Sequence, residues 1–210
     1  MKKTLLIAAA ALVAGVISSE AQVYSANIVG YVNVNMPAGA LVLTSNPLDD
    51  GTNQANDLLA NLPNKSTIQL WNGSGFTPYT KGASGFAGNP AIPVGTGFFV
   101  KAFSNYTNTY VGNVVPNPGG NQSSATLPAG TLVLVGSTLP VAGSFNDVGT
   151  NSFNLISTLP NKSTIQVWSG TSFTPFTKGA SGFSGTPGYT PGEGFFIKSF
   201  SATNWVQTLQ

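Results

Sequence analysis

The sequence predicts an all-β protein of two homologous tandem repeats, each a small antiparallel β-sandwich with at most one short helix. Two observations support this. Short runs rich in Val, Ile, Thr and aromatic residues are separated by Gly, Pro and Asn, which is typical of strands joined by turns. Residues 62–71 (LPNKSTIQLW) also recur almost unchanged at 159–168, 97 positions later. Such duplication indicates two copies of one structural unit.

The duplication extends over most of the chain. Residues 37–43 (PAGALVL) recur at 128–134, but only 91 positions later. The second copy therefore contains about six extra residues, which we place near 140–152. We divide the chain into a targeting segment at 1–21, a first repeat at 22–112 and a second repeat at 113–210.

The first 21 residues have the pattern of an export signal. Lys2 and Lys3 precede an apolar run at 4–17, and the segment Ser19-Glu20-Ala21 offers small residues to a signal peptidase. We expect cleavage after Ala21 and a secreted protein in the extracellular space or on the outer cell surface. The alternative is an uncleaved anchor. No second long apolar run follows, so no transmembrane segment is expected in the mature chain.

The remaining elements follow from local patterns. Strands are predicted at 24–34, 41–44, 67–71, 76–80 and 97–103. A short helix is predicted at 54–62, with Asp57 in its first turn and a counterpart at 152–159. Because residues 28–32 precede the first Pro-Ala-Gly and residues 110–114 precede the second, we expect 110–115 to end one repeat and begin the next. This predicts a compact pair of repeats.

A hairpin carries the candidate binding residues. Residues 67–71 alternate with period two, and the turn sequence Asn-Gly-Ser-Gly follows. A four-residue loop pairs Trp71 with Phe76, and the second copy pairs Trp168 with Phe173. Paired aromatic residues on a neutral surface could stack on the rings of a polysaccharide. The alternative is that the tryptophans belong to the core or pack the two repeats together.

Composition excludes several functions. The chain has no His, Cys or Arg, its charged fraction is 7% and its net charge is +2. Imidazole and thiolate catalysis are thus excluded, and nucleic-acid binding is not expected. The mature chain has five carboxylates, mostly in loop or helix-start contexts: Asp49, Asp50, Asp57, Asp147 and Glu193. The copies do not share Glu193, which aligns with Thr96. We therefore predict no catalytic residues, no cofactor and no enzyme activity.

Residues 49–53 (DDGTN) with Asp57 offer oxygen atoms to a Ca²⁺ ion, but their spacing matches no EF-hand loop. A turn followed by a helix start explains the segment without a metal, so no metal site is predicted. The glycine-rich segment at 82–88 follows a lysine and precedes no helix pattern. It therefore indicates a surface loop rather than a phosphate-binding loop.

Several segments resemble a known protein group. The chain contains YSANIVGYVNV at 24–34, PAG at 37–39, SNPL at 45–48, LWNGSGF at 70–76 and PGEGFFIK at 191–198. These are similar to secreted β-repeat proteins of environmental Gram-negative bacteria. The first copy departs from the pattern, with Val-Gly-Thr-Gly at 94–97. The likeness implies a structural module and carries no catalytic residues.

Two functions of different classes remain from the sequence. The first is a non-enzymatic structural or cell-surface protein, whose partners could include a second copy of itself through exposed edge strands at 24–34 and 203–209. The alternative is that these edges are covered within one chain. The second function is binding of neutral extracellular polysaccharide through Trp71, Phe76, Trp168 and Phe173. A hydrolase is a third, disfavoured class, because it would need two carboxylates that face each other in one cleft.

Overall fold

A computed structural model describes residues 28–116, 122–148 and 154–209. The predicted signal segment 1–21 lies outside these residues, as do 24–27 of the first predicted strand. The first repeat contains β1 (Val29–Met36), β2 (Leu41–Ser45), α1 (Ala55–Leu58), β3 (Thr67–Trp71), β4 (Phe76–Gly82), β5 (Gly85–Phe86), β6 (Gly97–Lys101) and β7 (Tyr106–Asn113).

The second repeat follows the same order with one addition. Its elements are β8 (Ser123–Leu127), β9 (Leu132–Val135), β10 (Gly143–Ser144), α2 (Leu155–Thr158), β11 (Thr164–Trp168), β12 (Phe173–Gly179), β13 (Gly182–Phe183), β14 (Gly188–Tyr189), β15 (Phe195–Lys198) and β16 (Thr203–Gln207). The added ribbon pairs β10 with β14. β10 lies where the sequence predicts extra residues.

The prediction of an all-β fold is confirmed. In each repeat a five-stranded antiparallel sheet packs against a two-stranded ribbon. The sheets have the orders β2-β6-β3-β4-β5 and β9-β15-β11-β12-β13, and the ribbons are β1-β7 and β8-β16. The predicted helices are shorter than expected, at four residues each. Asp57 lies in the first turn of α1, as predicted.

Each sandwich has its own hydrophobic core. In the first repeat, Val32 and Tyr110 of the ribbon pack against Ile68 and Phe98 of the sheet. In the second repeat, Leu127 and Trp205 of the ribbon belong to a core that includes Ile165 and Phe195 of the sheet. Residues alternate along β1 between exposed and buried positions, as expected for a strand with one solvent face.

The structure separates the two roles predicted for residues 110–115, because this segment ends the first repeat but does not begin the second. Residues 110–113 belong to β7, which pairs along its whole length with β1 and so closes the first repeat. The counterpart of β1 in the second repeat is β8, which pairs with β16. The pattern in 110–114 resembles the opening strand because β7 also alternates polar and apolar residues on a half-buried ribbon.

The two sheets face each other through their outer surfaces. Leu43 and Phe99 of the first repeat share a third hydrophobic cluster with Leu134 and Phe196 of the second. The layers are thus ribbon, sheet, sheet and ribbon. This arrangement agrees with the expected compact pair, although residues 117–121 of the connection lie outside the described residues.

Candidate functional site

The predicted aromatic pairs lie at the tips of two equivalent hairpins. Trp71 is opposite Phe76 in the β3–β4 register, and their ring centroids are 5.0 Å apart. Trp168 and Phe173 repeat this pairing at 4.9 Å. In the first hairpin, the Asn72 side-chain oxygen accepts bonds from the backbone of Ser74 and Gly75, which shapes the turn. The predicted pairing in the first hairpin is confirmed.

These rings cross the boundary between the repeats. Trp71 makes an edge contact with Phe196, and Trp168 makes the equivalent contact with Phe99, each with centroids 5.2 Å apart. Phe173 also approaches Phe99 across the boundary, at 6.2 Å. The structure therefore brings the four predicted binding residues into one shared cluster, in which each ring is partly buried.

Hydrogen bonds hold both indoles in this cluster. The indole nitrogen of Trp71 donates to the carbonyl oxygen of Leu132 at 3.0 Å, and that of Trp168 donates to Leu41 at 2.9 Å. Each bond joins the two repeats. Tryptophan nitrogens usually find such partners when they leave water. The arrangement favours the alternative in which the tryptophans pack the repeats together over a role as open stacking platforms.

The backbones of the two repeats also meet directly. Ser45 donates its amide to the carbonyl of Gly192 at 2.8 Å, and Gly136 donates to Gly95 at 2.9 Å. Ser45 and Gly136 are equivalent positions, as are Gly95 and Gly192, so the two bonds are related by an approximate twofold axis. In each case the end of an edge strand, β2 or β9, meets the turn that precedes β15 or β6 of the other repeat.

Close approach at these turns requires small residues. A Cβ atom on Gly97 would lie 2.8 Å from Cγ of Leu134, and one on Gly194 would lie 2.6 Å from the carbonyl oxygen of Thr44. Sequence reasoning missed this role of the glycine pairs at 95/97 and 192/194. Their recurrence 97 positions apart was the available signal.

Two equivalent clefts open along this boundary. The larger, of about 450 Å³, has walls that include Asn33, Asn35, Trp168 and Glu193. Its counterpart is smaller, about 240 Å³, and has Ser124, Thr126 and Thr96 at the matching wall positions. The walls of the smaller cleft also include Trp205 and Gln207, but of the two clefts the larger alone has a carboxylate among its described wall residues. The two copies have diverged here although their backbones correspond.

The carboxylates serve loops of the fold. Asp49 accepts bonds from Gly51 and the Asn53 side chain, and Asp50 accepts from the backbone of Asn53 at 2.6 Å. Asp57 accepts from the Thr52 hydroxyl. In the second repeat, Asp147 accepts from the amide of Ser144 and Glu193 accepts from that of Thr190. These bonds are those expected of turn-forming carboxylates.

The duplicated lysines have different environments. Lys81 is buried and its ammonium donates to the carbonyls of Leu59 and Ala60, just after α1. Burial lowers the pKa of this lysine. Its counterpart Lys178 is only partly buried, and its ammonium donates to the side chain of Asn161. Lys81 is therefore not a solvated surface lysine, because its ammonium binds the carbonyls at the end of a helix.

The larger cleft and the aromatic cluster are the candidate sites, and both are identified from the positions of their side chains. Within the described residues no group of three or more acidic side chains is arranged to hold a metal ion. No helix in those parts of the chain is long and apolar enough to cross a membrane. In comparisons with known proteins, no family model, curated protein or solved structure matched the chain at a significant level.

Proposed function

We propose that this protein is a non-enzymatic secreted structural or cell-surface protein built from a duplicated β module. The observation that carries the proposal is the interface between the repeats. Its aromatic rings, reciprocal backbone bonds and close-packed glycines would hold the two modules in one fixed orientation. A rigid unit of low charge is suited to a structural role outside the cell.

The chemistry of the side chains supports the same proposal. The five carboxylates of the described residues accept hydrogen bonds within loops. The protein also has no His or Cys. General acid–base catalysis would need such groups to converge on a substrate. In this protein they stabilise turns instead.

Export is the first part of the proposal to test. We propose removal of residues 1–21, which leaves Gln22 at the mature N-terminus. Intact-mass analysis of protein collected from medium, washed cells and insoluble matrix would measure both processing and location. A mass that retains residues 1–21 would contradict cleavage. Protein confined to the cytoplasm would contradict the structural role outside the cell.

Self-association through β1 is the second part. The amide of Val114 bonds to the carbonyl of Ile28, so even-numbered residues of β1 pair with β7. In an antiparallel pair the intervening residues direct their backbone groups outward. Tyr31 and Asn33 therefore direct backbone groups away from β7, and among the described residues these groups have no backbone partner. Pro140 and Pro191 of the second repeat lie nearby, and a strand of a second copy could add along this edge.

The surface beside this edge is apolar. Val29, Tyr31 and Val111 are 66%, 74% and 57% exposed on the outer face of the ribbon. Tyr31 is opposite Val111 in the strand register, so their side chains form one patch. A strand added beside β1 would place its own outward side chains next to this patch and shield part of it, and the low charge of the chain would offer little repulsion.

Sedimentation velocity of the mature protein tests this association. Asn33→Pro removes an outward amide without breaking the β1–β7 ladder, and Asn33→Ala is the matched control that keeps the amide. We expect wild type and Asn33→Ala to associate and Asn33→Pro to remain monomeric with a similar melting temperature. If wild type is monomeric at high concentration, association through β1 is wrong.

A second candidate function has one specific observation in its favour. Trp168 lines the larger cleft beside Asn33 and Asn35, a combination that could bind a neutral polysaccharide. Affinity electrophoresis in neutral glucans and mannans would test it with Asn35→Ala, because Asn35 is exposed and its loss should not disturb the core. Equal retardation of wild type and variant, or no retardation, would contradict binding in the cleft.

A further inference from the structure

An exposed phenylalanine beside a lysine occurs at the same place in both repeats. The Lys65 ammonium lies 5.2 Å from the ring centroid of Phe103, and Lys162 lies at the same distance from Phe200. The rings are nevertheless 61% and 58% exposed. Large aromatic rings left in water in two equivalent places are unusual, since burial of each would stabilise the protein.

The backbone around each pair is held in place. The buried hydroxyl of Ser66 accepts the amide of Phe103 at 2.9 Å, and Ser163 accepts that of Phe200 at 3.0 Å. These bonds fix the chain just after β6 and β15. The exposed rings are therefore presented from an ordered backbone on a sheet end, and not from a loose loop.

Both lysines adopt a conformation that is unfavourable for their residue type. Lys65 and Lys162 have φ angles of 69° and 71°, in the left-handed region where glycine or asparagine is favoured. Each lysine lies in a turn that is closed by a backbone hydrogen bond. The amide of Ser66 donates to the carbonyl of Pro63, and the amide of Ser163 donates to that of Pro160. Glycine would form this turn with less strain. The lysine side chain therefore has a role other than shaping the turn.

The pair has been kept while other shared features changed. Lys81 is buried whereas its counterpart Lys178 is only partly buried, and Glu193 stands where the first copy has Thr96. The distance from lysine to ring, the serine bond and the left-handed φ are the same in both copies. Geometry that is maintained in detail at an exposed position is better explained by a ligand than by packing.

The charge at each pair indicates the ligand. Within the described part of the chain, neither Lys65 nor Lys162 has a carboxylate partner. Each ammonium can therefore pair with an external anion, and the exposed ring offers an apolar surface beside it. A sugar that carries an acidic group satisfies both, because its C–H face can stack on the ring while its anion pairs with the lysine.

We propose that the Lys65–Phe103 and Lys162–Phe200 pairs bind an anionic extracellular polysaccharide. Two identical sites on one rigid body fit a polymer that repeats the same acidic group, because engagement of the second site becomes intramolecular. This proposal goes beyond the structural function, since it supplies the means by which such a protein is retained at the cell surface. Uronate carboxylates and sulfate esters have the required chemistry in common.

The test measures binding of the mature protein to polygalacturonate and dextran sulfate at physiological salt, by biolayer interferometry. The variant is Lys65→Gly with Lys162→Gly, which removes both ammonium groups and relaxes both turns, so its melting temperature should not fall. We expect the Kd to rise by roughly tenfold or more in the double variant and by less in either single variant. The polymer that binds identifies the acidic group.

The matched control is Lys101→Gly with Lys198→Gly, which removes a second duplicated pair of exposed lysines that have no ring beneath them. Equal loss of binding in this control would overturn the proposal, because attraction would then depend on net charge alone. Phe103→Ser with Phe200→Ser should weaken binding while both charges remain. Lack of binding to either polymer, or equally tight binding to poly-glutamate, would also overturn it.

Discussion

Ser45 and Gly136 occupy equivalent positions in the two repeats and meet at the boundary between them. A Cβ atom on Gly136 would overlap the Cβ and Oγ atoms of Ser45 and lie 2.7 Å from the carbonyl oxygen of Glu193. The φ angle of Gly136 is not left-handed, so the backbone would accept another residue there. Glycine is required because the opposite position carries a side chain.

The two copies have therefore become complementary. Two repeats with serine at this position would collide, whereas one serine and one glycine fit. The Ser45 hydroxyl also donates to the Glu193 carbonyl at 2.9 Å, so the side chain adds a bond between the repeats. This asymmetry indicates that each repeat is adapted to pack against the other and not against a copy of itself.

Exchange of these residues tests the complementarity. Gly136→Ser should lower the free energy of unfolding by about 2–3 kcal/mol through steric overlap. Ser45→Gly should cost about 1 kcal/mol through loss of one hydrogen bond and added chain entropy. Ser45→Gly combined with Gly136→Ser should recover much of the loss in urea unfolding. Additive effects of the two changes would show that these positions do not interact.

The tryptophans provide a second test, because packing and sugar binding predict different results. We expect Trp71→Ala or Trp168→Ala to lower the free energy of unfolding by about 3 kcal/mol, since each loses ring contacts and an indole hydrogen bond across the boundary. Trp71→Phe should cost less because it keeps most ring contacts. An unchanged melting temperature with reduced retention on neutral polysaccharide would instead favour the stacking role.

The hairpin and its aromatic pair could be predicted because their causes are local. Alternation along residues 67–71 and the turn chemistry that follows determine the register, and the structure has the same register. The partners of Trp71 could not be predicted, because Leu132 and Phe196 are distant in sequence. Periodicity shows that a strand has two faces, but does not show what covers the second face.

The opening strand of the second repeat was missed for a related reason. β8 has the sequence Ser-Ser-Ala-Thr-Leu, in which small and polar residues give little alternating hydrophobic signal. Residues 110–114 have a stronger alternating pattern, so the sequence predicts the start of the second repeat there instead. Only pairing with β16 identifies β8 as the equivalent of β1.

Alkaline unfolding should depend on two buried tyrosines. Burial raises the pKa of the Tyr110 and Tyr189 phenols well above their ordinary value near 10. Above pH 10 the unfolded chain loses these protons while the folded chain keeps them. The stability that the two buried phenols contribute below pH 10 is therefore lost as the pH rises towards their pKa values in the folded protein. Each tyrosine should add about −1.4 kcal/mol per pH unit to the slope of unfolding free energy.

Urea unfolding between pH 9 and 11.5 measures this slope. Tyr110→Phe and Tyr189→Phe should each flatten it, and Tyr31→Phe, at an exposed ring, is the matched control. Lys81 changes the slope in the opposite direction, because its pKa is lowered in the folded protein. Comparison of each variant with wild type removes this contribution, since Lys81 is present in both. Identical slopes in wild type and both buried-site variants would contradict the prediction.

Differential scanning calorimetry of residues 22–210 tests the central claim most directly, namely that the boundary joins the two repeats into one unit. Because both sandwiches share the aromatic cluster and reciprocal backbone bonds, we expect a single transition with a ratio of calorimetric to van't Hoff enthalpy of about 1. Two resolved transitions, or a single peak with a ratio of about 2, would show that the repeats unfold independently and would contradict the account.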